Sequence, residues 1–249
     1  MTITSSRPDT PDSYVPSRRT VLRAAAWTAP AVSVAVAVPA YAACSPASAV
    51  TASYLLDWGV TPWTKTSATT GVATVASQTT GGQPLRVTFT SSGPRSLNRS
   101  ADNLAVPAQT NLGGLGSSVR GLRLDHAAAL TTGRDNGQVL TMNFERPVNG
   151  LSFTITDIDS QRRAWWDQVS LSGPRTATPA GGIGGAGTDA SPWAQRQNNS
   201  AIGATSGAGN VRVTYTAPVS SIVLKFWTSV TGGTQLINLT DFSFTSSSC

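Results

Sequence analysis

The chain has 249 residues, with 18 Lys+Arg against 12 Asp+Glu and a formal net charge of +6. Beyond the N-terminal stretch the basic residues are scattered singly, apart from Arg162 and Arg163, and no basic stripe interleaves with aromatics, which excludes a nucleic-acid partner. A single histidine, His126, excludes metal sites built on histidine pairs.

The first element is an export signal. Residues 17–23 read SRRTVLR, and a weakly apolar, alanine-rich core follows over about 24–38, interrupted by Pro30. Ala40, Tyr41 and Ala42 give the small-x-small pattern of a cleavage site, placing the cut before Ala43. The paired arginines with Leu22 resemble a twin-arginine (Tat) signal, which carries chains outward already folded. Residues 1–42 are therefore expected to be a signal peptide and 43–249 a single domain. From Ala43 onward 14 basic and 10 acidic residues remain, a balance of +4. No second apolar run follows, so no transmembrane span is expected after signal removal.

Cys44 and Cys249 are the two cysteines. In an exported protein an even count points to a disulfide, here joining the chain ends. Closing so long a loop would stabilise the fold by about 5 kcal/mol. Lipidation of Cys44 is the rival reading, although Tyr41 stands where a lipobox carries leucine.

Helical signals are nearly absent beyond residue 43: Gly, Ser and Thr abound, and Glu145 is the one glutamate. Apolar residues alternate with polar ones in nine short segments. In chain order these are residues 50–58; Leu85, Val87, Phe89; Leu122, Leu124; Leu140, Met142, Phe144; Leu151, Phe153, Ile155; Val169, Leu171; Val211, Val213, Tyr215; Ile222, Leu224, Phe226; and residues 236–244. About nine strands with Gly/Pro/Ser punctuation predict an all-β antiparallel sandwich. Residues 144–155 read as a hairpin turning at 146–150. In the last strand the inward parity breaks between Leu239 and Phe242, which predicts a bulge. Residues 90–121 and 173–210 read as two long loops.

Several side chains along this path carry chemistry. Trp58 ends the first strand, and Trp165 and Trp166 fall in the turn before Val169; exposed tryptophans there would stack on sugar rings, buried ones would plug the core. His126 beside Asp125 reads as surface. Phe153, Ile155, Asp157 and Asp159 share one strand face, and Asp167 begins the next strand. Calcium wants about six to eight oxygens, which these carboxylates and loop carbonyls could supply; alternatively the aspartates cap loop N–H groups or pair with Arg162 or Arg163. Residues 182–187, GIGGAG, match G-x-G-x-x-G, but no strand precedes and no helix follows, so the stretch reads as a loop.

The stretches FERPVNGLSF (144–153), TDID (156–159) and WDQV (166–169), with VRVTY (211–215), PVSSI (218–222) and INLTDFSF (237–244), resemble jelly-roll-like modules of actinobacterial surface proteins. That resemblance implies a jelly-roll-like sandwich at the cell surface. The expected function is a secreted or surface binding module without catalysis, with a polysaccharide or another cell-envelope component as partner. A secreted hydrolase working through aspartates and a structural envelope protein are the alternatives.

Overall fold

The computed structural model describes residues 50–94, 97–127 and 132–248. The proposed signal, Cys44 and Cys249 lie outside the described residues, as does any bond between the cysteines.

Alternation of apolar and polar residues lays down the strands. In chain order they are β1 (Val50–Leu56), β2 (Trp63–Lys65), β3 (Thr70–Val75), β4 (Leu85–Ser92), β5 (Asn98–Arg99) and β6 (Leu122–Ala127). Then come β7 (Gln138–Thr156), β8 (Ser160–Gln161), β9 (Trp165–Leu171), β10 (Arg175–Pro179), β11 (Ile183–Gly184) and β12 (Ala194–Gln195). The last four are β13 (Val211–Tyr215), β14 (Val219–Thr228), β15 (Thr234–Leu239) and β16 (Phe242–Ser248). All pairings are antiparallel.

One layer runs β2-β3-β4-β7-β14-β9-β8. In the other, β13 pairs β7 on one side and carries β10; β15 and β16 share the opposite side of β7 and carry β6 and β1. The first half of β7 thus belongs to one layer and its second half to the other. Rings meet between the layers: Phe226 of β14 lies 4.8 Å from His126 of β6, and Phe89 of β4 lies 6.1 Å from Phe242 of β16. The protein is an antiparallel β-sandwich.

Among the described residues there are sixteen strands, against about nine read from sequence. Most of those missed are short or lie at edges, where one buried face is too brief to set up an alternation; β3 is six residues between β2 and β4, but its inward face is Gly71, Ala73 and Val75, too small to stand out as an apolar stripe. The expected loops at 90–121 and 173–210 hold β5 and β10–β12.

Residues 144–155 do not form a hairpin. Inward positions run Leu140, Met142, Phe144 and then Leu151, Phe153, Ile155, a switch of parity along one continuous strand. The pairing with β14 jumps from Ser221↔Asn143 to Val219↔Val148, so the intervening residues bulge. Pro147 gives up a ladder donor and Gly150 takes φ +61°, and the strand bends between layers instead of reversing. The expected bulge near Leu239 is a break instead: β15 ends there, β16 starts at Phe242, and Thr240 N bridges the gap to Thr154 O at 2.9 Å.

Candidate functional site

Two regions concentrate polar chemistry. The first is the carboxylate cluster at the end of β7. Asp157 takes φ +70°, turning the chain out of the strand. Ile158 is fully buried and anchors the turn: its N–H donates to Gly209 O (3.1 Å) and its carbonyl accepts from Gln195 Nε2 (2.9 Å). Asp159 accepts from Trp165 Nε1 on one oxygen and from Ile202 N at 2.9 Å on the other. Asp159 N donates to Asp167 Oδ2 (3.2 Å), while Asp167 N donates to Asp159 O (3.0 Å). The other oxygen of Asp167, Oδ1, is buried without a hydrogen-bond partner.

Burial dominates the protonation of this cluster. It raises Asp157 to about 7, with the Asp159 charge adding and Arg123 opposing. It raises Asp167 well above the carboxylate range, helped by the Asp159 charge, and raises Asp159 against its hydrogen bonds. The three aspartates singled out in the sequence are therefore gathered at one end of the sandwich. Among the described residues, however, no group of three or more His, Cys, Asp or Glu side chains is arranged to hold a metal ion. Both oxygens of Asp159 are engaged by N–H donors.

The tryptophans divide. Trp58 is a core residue, 4 % exposed, packed edge-on against Trp63, Phe89 and Phe242, with Nε1 donating to Thr240 O at 3.1 Å. It has no free face for a sugar, contrary to expectation, because the strand end it occupies folds under residues 240–242. Trp165 and Trp166 begin β9 and are both half-buried, rather than one in and one out. Their indole N–H groups go to Asp159 and, at 2.9 Å, to Gln195 O.

His126 is not a surface residue. It is 2 % exposed and faces the interior beside Phe226, and burial lowers its pKa to about 4. Gln138 and Gln235 are buried near it. Gln138 Nε2 donates to Ser91 Oγ (2.9 Å) and Asn103 Oδ1 (2.8 Å), and hydrogen bonding of His126 with Gln138 and Gln235 opposes the lowering by burial. A sequence signal existed: His126, Gln138 and Gln235 each continue the inward parity of their strands.

The second region is an open groove of three adjoining recesses. One, of about 380 Å³, lies between β10 and the loop 185–188, lined by Gly173, Arg175, Ala177, Gly185, Thr188 and Trp193. The next, about 390 Å³, shares Thr188 and continues over Ser170, Ser172, Asp189, Val223 and Lys225. The third, about 360 Å³, shares Lys225 and reaches Arg134, Asp135, Val139 and Gly93. The groove crosses strands rather than following them. At about 4.8 Å per strand, the steps from β4 through β7 and β14 to β9 span about 14 Å.

Asp189 is the electrostatic centre of the groove. It accepts from Lys225 Nζ and from Ser170 Oγ (2.6 Å), and Arg134 Nη1 stands 3.6 Å away. The hydrogen bond from Lys225, then that from Ser170, holds its pKa below the usual value. Arg134 also bonds Asp135 at 3.1 Å. The stretch GIGGAG serves this region as a wall. Ile183 and Gly184 pair with β12, and Gly187, at φ +68°, packs where a Cβ would overlap the Trp193 indole. Arg134, Arg175, Asp189 and Lys225 come from separate loops and strands, so no local spacing marked them.

Comparison of the chain with protein-family models, with curated proteins and with solved structures finds no match.

Proposed function

We propose that this protein is an exported, non-catalytic β-sandwich module that binds carbohydrate through the groove across β14 and β9. The observation that carries the reading is the run of three joined recesses. They are open, lie across the strands and are lined with hydroxyl, ammonium and carboxylate groups suited to the hydroxyls of an extended polymer. The Tat-like leader and the likeness to actinobacterial surface modules support an extracellular or cell-surface setting, where a bond between Cys44 and Cys249 is expected.

Affinity electrophoresis in gels containing polysaccharides tests this. The chain is expected to be retarded by at least one polymer, and Lys225→Ala with Asp189→Ala to weaken that retardation about tenfold. Unchanged retardation in the double variant would place binding elsewhere, Trp165 and Trp166 being the next surface to probe.

One observation favours a second reading, the aspartate hydrolase: a carboxyl raised to about 7 beside another carboxylate suits a general acid. Turnover of a glycan or ester panel that Asp157→Asn abolishes would favour it over pure binding.

A further inference from the structure

Resting on the groove reading, we infer that the recess between β10 and the loop 185–188 takes a carboxylate, so that the preferred polymer is an anionic, uronate-bearing polysaccharide. Arg175 stands in this recess and its guanidinium lies 5.2 Å over the centre of the Trp193 ring. Trp193 is 1 % exposed, so the ring is a fixed floor beneath the charge rather than a platform for a sugar. Arg175 Nη1 donates to Gly173 O (2.8 Å) and Nη2 to Gly187 O, which orients the guanidinium plane. Neither acceptor carries a formal charge. Among the described residues Arg175 is in no ion pair, and its Nε is buried without a hydrogen-bond partner.

The other cations of the groove differ. Lys225 and Arg134 face Asp189, and Arg134 also faces Asp135. Their charge is answered inside the protein; that of Arg175 is not. A partly desolvated guanidinium without a counter-charge is costly, and a carboxylate supplied from outside removes that cost. Burial already lowers the pKa of Arg175, the mark of that desolvation. Small wall residues (Gly173, Ala177, Gly185, Ala186) leave about 380 Å³ in front of the charge, and Pro174 and Pro179 stiffen the rim. The balance of +4 from Ala43 onward draws a polyanion towards the molecule without choosing the recess.

The test is affinity electrophoresis of the purified chain against polygalacturonate, its methyl-esterified form, dextran and dextran sulfate. Expected are strongest retardation by polygalacturonate, about tenfold weaker binding after esterification, and loss of that difference in Arg175→Gln. Arg212→Gln, exposed on β13 with Thr178 as its β10 neighbour, is expected to keep the preference, which separates the recess from general basicity. Should Arg175→Gln fail to fold, Ala177→Glu, which sets a competing carboxylate on the exposed recess wall, is expected to abolish the preference for polygalacturonate over its ester. Equal affinity for the charged and esterified forms, a preference that survives in folded Arg175→Gln, or a preference for dextran sulfate overturns the carboxylate inference and leaves the groove reading standing. Failure to bind any of the four polymers overturns both.

Discussion

Two buried titrating groups pull the stability of this protein in opposite directions with pH. Asp157 titrates at about 7 in the fold against 3.8 ordinarily. Between those values the folded state holds a proton that the unfolded chain has released, so this contribution is present at acid pH and lost as pH rises through 7. His126 titrates at about 4 against 6.5. Its contribution is present above 6.5 and lost as pH falls towards 4. The displacement of Asp157 corresponds to up to about 4 kcal/mol and that of His126 to about 3 kcal/mol. Asp159 and Asp167 are raised as well and side with Asp157, so the melting temperature is expected to peak on the acid side of neutral. In a melting series across pH, Asp157→Asn should raise stability at alkaline pH and flatten that limb, and a peak unmoved by it would contradict the assignment. The aspartates could be located from sequence because the spacing of Phe153 and Ile155 continues to Asp157 and Asp159, although the strand ends at Thr156 and Asp157 turns out of it. The burial of His126 was also written in parity, but a lone polar residue on an apolar stripe reads as a strand end until its neighbours are known.

At the scale of elements, the long strand β7 joins the layers, and the aromatic contacts between them hold it in place. Phe242 lies 4.6 Å from Phe153 of β7, 5.9 Å from Trp58 and 6.1 Å from Phe89. Phe242→Ala removes a fully buried ring from this junction and should destabilise the fold by about 3–5 kcal/mol in denaturant unfolding. A loss below about 1 kcal/mol would mean that the ring is not part of a close-packed core. The long strands were legible because each buries one face for several residues. The hairpin assigned to residues 144–155 was misread because Pro147 and Gly150 occur both in turns and in bends. What separated them was the change of inward parity between Phe144 and Leu151, a sign of one strand crossing between layers. The groove was not legible at this scale. Its walls, β10 and the loop 185–188, carry no apolar alternation that would mark them.

For the molecule as a whole, the β-sandwich brings β1 and β16 together as neighbours, Val50 opposite Ser248. Cys44 and Cys249 follow closely in sequence from that pair, although both lie outside the described residues. Intact-mass measurement under non-reducing conditions of the protein made in an oxidising compartment is expected to show the oxidised pair, and reduction to lower the melting temperature. Two free thiols would refute the bond, and a lipid-modified Cys44 would replace it. The sequence by itself determined the class of fold, because a period of two in hydrophobicity is a local property that any buried sheet face imposes. It also carried the grouping of the aspartates at one strand end. Only the tertiary structure decided which polar side chains meet. Arg175, Asp189 and Lys225 are brought into one groove by strand pairing across long stretches of chain, and Trp58 is sealed by residues nearly two hundred positions away. Such encounters depend on how layers pack, and packing is a relation between distant residues that no local pattern encodes.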